Sequence, residues 1–272
     1  MSDVVPAIDQ ATIAGLIEAN INDYLLSYAQ LPGAVLHDDA ESAWVEAQVP
    51  GATFNSIVRA RFQPEQVDRQ IEKVLDHFRR RSLPVVWHIG PASEPADLGE
   101  ALLCHGLTFM EEEPGMALEI EKMDIASAAP AELTIEPVRD EAGLREWIDT
   151  WLFRVPAKIR DAQFQARRML WLEPERPMHC FLGTWNGAPV ATSMLYFGHG
   201  VAAAHHVVTR PEYRRRGIGS ALTVRVLHEA LARGYRVGVL TASPEGHGSY
   251  HRIGFRPYCS VRRYEWDPAN RS

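Results

Sequence analysis

The sequence predicts an α/β protein built from two domains, and three observations carry that reading. At 272 residues the chain is long for one domain and comfortable for two. Short β-branched runs alternate with segments whose apolar residues recur at helical steps. The two halves also repeat each other at an offset of 152 residues, where Val74-Leu75, Arg81 and Val85 align without gaps on Val226-Leu227, Arg233 and Val237. Both copies run helix, short turn, strand.

Residues 9–29 place Ile13, Leu16, Ile17, Ile21, Tyr24 and Leu25 on one helical face, and Pro32-Gly33 ends the segment. Strands are expected at 34–37, 43–49 and 54–61. A helix over 65–80 gathers Val67, Ile71, Val74, Leu75 and Phe78 on one side. A strand at 84–89, a helix at 98–105 stopped by Gly106, and a strand at 116–120 complete a first domain of residues 1–120. Residues 121–132 lose periodicity and read as a linker.

The second domain, 133–272, begins with a strand at 133–138 and helices at 140–152 and 158–172. Strands at 178–185 and 189–197 turn at Asn186-Gly187, a two-residue hairpin signal. A strand at 201–208 leads into a glycine-containing loop and a helix. Tyr235–Thr241 is the next strand, and Val261–Trp266 is expected to close this domain's sheet.

Composition narrows the partners. Lys plus Arg is 28 and Asp plus Glu is 35, for a net charge of −7. An acidic chain with arginines gathered in one loop does not suit general nucleic-acid binding. No run of about twenty apolar residues is present to span a bilayer. The start, MSDVVPAIDQ, lacks the basic region of a signal peptide. Cys104, Cys180 and Cys259 stand far apart, with neither a disulfide framework nor metal-ligand spacing. The expectation is a cytoplasmic protein with no metal, no nucleic-acid partner and no membrane contact, as a monomer or homodimer.

The stretch 207–222 carries the chemistry. Val207, Val208 and Thr209 end a strand, Pro211 halts it, and the basic turn Tyr213-Arg214-Arg215-Arg216 follows. After Gly217, Ile218 and Gly219 the spacing becomes helical through Leu222, Val226 and Ala230, until Gly234 stops it. The first N–H groups of a helix have no internal partner and sit at the positive end of the macrodipole. Glycines there let an anion approach, so the expected ligand is a phosphate or pyrophosphate. Neither the Walker A nor the Rossmann glycine spacing is present.

Arg214-x-x-Gly217-x-Gly219, preceded by Val208-x-x-Pro211-x-Tyr213, resembles the acyl-CoA loop of the GNAT (GCN5-related N-acetyltransferase) superfamily. Tyr250-His251-Arg252-Ile253-Gly254-Phe255 resembles its second signature, a tyrosine four residues before Gly-Phe. The resemblance implies two tandem GNAT-like domains, each a mixed, mostly antiparallel sheet with helices on both faces. It implies acetyl-CoA as co-substrate, gripped by Val207, Val208, Arg214, Arg215, Arg216, Gly217, Ile218, Gly219 and Ser220, and transfer to the amine of a small molecule or peptide. A longer acyl donor, or an acyl-CoA sensor without turnover, are the alternatives.

The same resemblance makes Tyr250 the general acid for the departing thiolate, although Ser249 stands where the family has an apolar residue. Residues 199–208 contain no Glu or Asp to act as base. His205 and His206 are adjacent on a strand, so one should face the cleft, and His206 is the candidate base. Trp151, Phe153 and Trp171 are candidates to line the acceptor cleft, with Arg154 and Lys158 at its rim. At the 152-residue offset Glu65, Val67 and Asp68 replace Gly217, Gly219 and Ser220, so the first copy is expected to bind no CoA.

Overall fold

The computed structural model describes residues 4–49, 51–124, 129–172 and 176–270. Helix α1 (Ile13–Leu26) is followed by strands β1 (Val35–Asp38), β2 (Ser42–Glu46) and β3 (Ser56–Ala60). Helix α2 (Val67–Arg79), strand β4 (Val85–Ile89), helix α3 (Leu98–Cys104) and strand β5 (Thr108–Glu119) come next. The chain continues through β6 (Leu133–Pro137), α4 (Glu141–Trp151), α5 (Ala157–Trp171), β7 (Met178–Trp185), β8 (Ala188–Gly198) and β9 (Val201–Thr209). It ends with α6 (Ile218–Ala232), β10 (Val237–Thr241), α7 (Pro244–Ile253) and β11 (Arg256–Trp266). The internal repeat is visible in these bounds, since β4 and β10 have the same length and stand 152 residues apart.

The chain forms two compact units, Met1–Asn20 with Gly115–Tyr258, and Ile21–Pro114 with Cys259–Ser272. These cut across the expected boundaries of 1–120 and 133–272, and strand pairing gives the reason. Arg262–Trp266 of β11 pairs antiparallel with Ile89–Val85 of β4, so this strand completes the smaller unit's sheet instead of closing its own half. Gly115–Glu119 of β5 pairs antiparallel with β10 in the larger unit. Of the expected linker, residues 125–128 lie outside the described residues. Ile120–Lys122 is a short 3₁₀ turn, and the Asp124 N–H donates to the Ile253 carbonyl at 2.8 Å.

In the smaller unit the strand order is β1-β2-β3-β4-β11, antiparallel apart from the β3–β4 pair. Helices α2 and α3 cover one face. Ile71, Leu75, Phe78, Leu98 and Leu102 meet Trp44, Ile57, Trp87, Tyr264 and Trp266 there. Each such side chain contributes about 1.5–3 kcal/mol by leaving water. Strand β5 starts at Thr108, well before the expected 116. The added length holds Glu111, Glu112 and Glu113, where Arg263 engages Glu111 and Glu113 and the Ser260 hydroxyl donates to Glu112.

The larger unit has strand order β5-β10-β9-β8-β7-β6, antiparallel except where β9 meets β10. Asn186 and Gly187 take φ of 48° and 82°, which is the primed turn their sequence predicts. Helix α6 packs Val226, Leu227 and Ala230 against Phe181, Leu195, Ala202 and Ala204. Gly234, with φ of 91°, stops it as expected. Helix α4 starts where the Asp140 carboxylate accepts the Gly143 N–H at 2.8 Å. It packs on β7 and β8, and the indole N–H of Trp147 donates to the Ser193 carbonyl at 3.1 Å. Among the described residues no helix is long and apolar enough to cross a membrane.

Candidate active site

The site begins with an irregularity in β9. Thr192 of β8 opposes Val208 and Met194 opposes His205, so β9 holds one extra residue between them. His206 absorbs the mismatch with φ of 50°, and its carbonyl accepts the Thr192 hydroxyl at 2.9 Å. On the other edge, β9 pairs with β10 only at Ala202–Gly238 and Ala203–Val239. Beyond these residues the two strands part, and the main-chain groups of Val207 and Val208 have no partner in β10.

The loop after β9 turns through a 3₁₀ segment, Pro211–Tyr213, then Arg215 with φ of 60° and Gly217 with φ of 78°. Gly217 caps α6 in the left-handed region, which a glycine enters without steric cost. Gly219 serves otherwise. Its φ is ordinary, and an added Cβ would come within 3.8 Å of Thr209 Oγ1 and 4.0 Å of Val207 Cγ1, between helix and strand. Helix α7 faces this loop, with the Ser243 hydroxyl capping it on the Gly246 N–H at 3.3 Å and Pro244 at its first position.

Between these elements lies a cavity of about 1020 Å³. Val207 and Val208 line it from β9, and Arg214, Arg215, Gly217, Ile218, Gly219 and Ser220 line it from the loop and α6. Tyr250 lines it from α7. Its half-buried ring meets Phe255 edge-on, with centroids 5.9 Å apart, and lies across Gly246, where a Cβ would sit 2.8 Å from Tyr250 Cε2. The cavity therefore joins a helix N-terminus, an unpaired strand edge and a phenol.

Two expected residues lie elsewhere. The Arg216 guanidinium rests over Trp185 and Tyr213, 5.1 and 5.6 Å from their ring centroids, and is not part of the lining. His206 is not part of it either. Its ring packs among Trp151, Trp147 and Trp171, with centroids 4.2, 5.8 and 6.1 Å away. The extra residue turns His206 toward α4 and α5, while the His205 ring meets Tyr196 of β8 at 6.4 Å and lies 6.2 Å from that of His206. Of the proposed acceptor region, Trp151 and Trp171 meet here, with the buried Arg167 guanidinium over both rings at 4.7 and 4.8 Å. Arg154 instead covers its neighbour Phe153 at 5.1 Å, and Lys158 is exposed. Beneath the cluster, burial pushes the Cys180 thiol far up, and Arg167 opposes the shift without reversing it.

Sequence reasoning did not foresee that α7 turns a polar face to the cavity. Ser243, Glu245, Gly246, Ser249 and Arg252 all line the cavity. Their three- and four-residue spacing around Tyr250 was the available signal. Glu245 reaches across to Arg214 at 2.9 Å, while the Arg214 Nε donates to the Thr209 carbonyl at 3.2 Å.

Residues 142–255 match the model of the acetyltransferase (GNAT) family. This segment is a GNAT domain. It holds the whole lining of the cavity. The chain is similar in fold to a GCN5-related N-acetyltransferase from Kribbella flavida, with 19% identity, a TM-score of 0.70, and coverage of 92% of this chain and 95% of that one. A GCN5-related N-acetyltransferase from Sphaerobacter thermophilus shares 19% identity at a TM-score of 0.59, over 97% and 95% of the two chains. A tandem GNAT protein from the clavulanic acid biosynthesis pathway matches over 98% of both chains, with 13% identity and a TM-score of 0.59. The tandem GNAT fold thus accounts for the GNAT domain and for the half that precedes it. No curated protein matches the sequence.

Proposed function

We propose that the GNAT domain moves an acetyl group from acetyl-CoA to the amine of a small molecule or peptide. The observation that carries this is the single cavity joining the α6 N-terminus, the unpaired edge of β9 and Tyr250. The donor's diphosphate fits at Gly217–Ser220, where helix N–H groups lack internal partners and neither glycine raises a Cβ. Arg214 and Arg215 add positive charge from the loop.

Acetyl-CoA supplies an activated thioester. The main chain at Val207 and Val208, free of β10, offers donors to the oxygen that gains charge as the amine attacks. A C–N bond forms, the C–S bond breaks, and the thiolate takes the Tyr250 proton. A phenol of pKa about 10 is protonated near neutrality and can serve this role. The amine's proton must leave to a base. His206 is the candidate, acting from beside Trp151 at the bulge.

The first copy has no equivalent loop. Helix α2 begins from Gln66 with φ of −115°, and Asp68 in its first turn is held 2.9 Å from the His105 Nε2. One donor per chain follows. The test is release of free CoA from acetyl-CoA across a panel of amines, together with titration of CoA against the protein. Turnover with one site per chain is expected. Binding without turnover for any amine would make the domain a sensor, and two equivalent sites would overturn the reading of the first copy.

A further inference from the structure

We propose that Glu245 is an internal competitor for the donor's diphosphate. In the free protein its carboxylate holds Arg214, and the incoming diphosphate displaces it. This rests on the reading of the cavity as an acyl-CoA site.

The geometry is specific to these two side chains. Arg214 belongs to the loop before α6, Glu245 to the first turn of α7, and both line the cavity. Their Nη1 and Oε2 atoms stand 2.9 Å apart, so the pair links the two walls. Arg214 is fixed from behind, because its Nε donates to the Thr209 carbonyl. Its Nη1 is left to meet an anion from the cavity. In this state that anion is Glu245.

A carboxylate at that position suits α7 itself, since the first turn of a helix favours negative charge. For a diphosphate it has the opposite effect. The glutamate side chain is 75% exposed, so water solvates it readily once it lets go. An exposed ion pair of this kind is weak and easily exchanged. After exchange Arg214 faces the diphosphate, while Glu245 remains nearby as a like charge. Arg215 and Arg252 also line the cavity and oppose that repulsion. The arrangement lowers affinity for donor and product alike and hastens release of free CoA.

The experiment titrates free CoA into the full-length protein by calorimetry and follows its dissociation by stopped flow. Wild type, Glu245→Gln, Arg214→Gln and the double variant are compared at low and high salt. Glu245→Gln keeps the size and the position at the α7 N-terminus, so its fold should survive. The expected result is CoA binding tighter by roughly two- to fivefold at low salt, with slower dissociation. The gain should shrink at high salt. It should also be clearly smaller when Arg214 is already glutamine, because only the residual repulsion is then removed. Unchanged or weaker binding in Glu245→Gln overturns the proposal, and so does an equal gain in both backgrounds, which would mean repulsion without exchange. Failure of every variant, wild type included, to bind CoA overturns the reading of the cavity itself.

Discussion

His206 and Trp151 meet ring to ring, with centroids 4.2 Å apart, at the point where β9 carries an extra residue. A regular strand would send His205 and His206 to opposite faces. The left-handed φ of 50° at His206 breaks that alternation, and the two rings come within 6.2 Å of each other. Asparagine tolerates this backbone far better than a β-branched residue does. His206→Val should therefore destabilise the fold by about 1–3 kcal/mol more than His206→Asn, read from urea denaturation. Equal losses in the two variants would show that ring packing, not backbone strain, sets the cost.

Tyr250→Phe should leave CoA affinity close to native, because the ring and its edge-on contact with Phe255 remain. What is lost is a proton donor used only as the thiolate departs, worth about 10²–10⁴-fold in rate. Single-turnover acetyl transfer is the measurement, since slow product release can mask the effect in kcat. A native single-turnover rate would reduce Tyr250 to a packing residue.

Gly219→Glu should abolish CoA binding in a protein that still folds. The φ at this position is ordinary, and a Cβ there meets nothing closer than 3.8 Å, so the backbone accepts a side chain. The carboxylate would then enter the proposed diphosphate seat. Gly217→Glu is a poorer probe, because φ of 78° strains any L residue and mixes stability with binding. Calorimetry together with a thermal melt separates the two. Native affinity in a folded Gly219→Glu protein would move the anion site elsewhere.

The His105 imidazole lies between Glu72 at 2.6 Å and Asp68 at 2.9 Å. Burial disfavours its charge, but hydrogen bonds to the two carboxylates outweigh it, and its pKa rises above 6.5. A raised folded-state value means that the stabilisation is complete below about 6.5 and is lost as pH climbs through the raised value. Between about pH 6 and pH 9 the stability advantage of wild type over His105→Gln should shrink. Urea midpoints at the two pH values test this, and a constant or growing difference would contradict it.

Local chemistry was legible in the sequence, and long-range pairing was not. Asn186-Gly187 and Gly234 reveal themselves because each needs a backbone that few residues adopt. The loop from Arg214 to Ser220 and the tyrosine before Gly254-Phe255 sit on the elements their spacing implied. The start of β5 at Thr108 was not legible because the partners of Glu111, Glu112 and Glu113, namely Arg263 and Ser260, lie about 150 residues away. The bulge was hidden because Val201–Thr209 contains neither proline nor glycine to mark a break, and only its register against β8 exposes the extra residue.

The pairing of Arg262–Trp266 with β4 bears on how this chain is born. A ribosome delivers Ile21–Pro114 early, yet the strand carrying Tyr264 and Trp266 follows only after the whole GNAT domain has been made. Until then the edge of β4 is uncovered, and the core around Trp87 and Leu98 lacks two of its aromatic rings. The half that emerges first is thus the half that finishes last. Until β11 arrives, that open strand edge is free to pair with another chain.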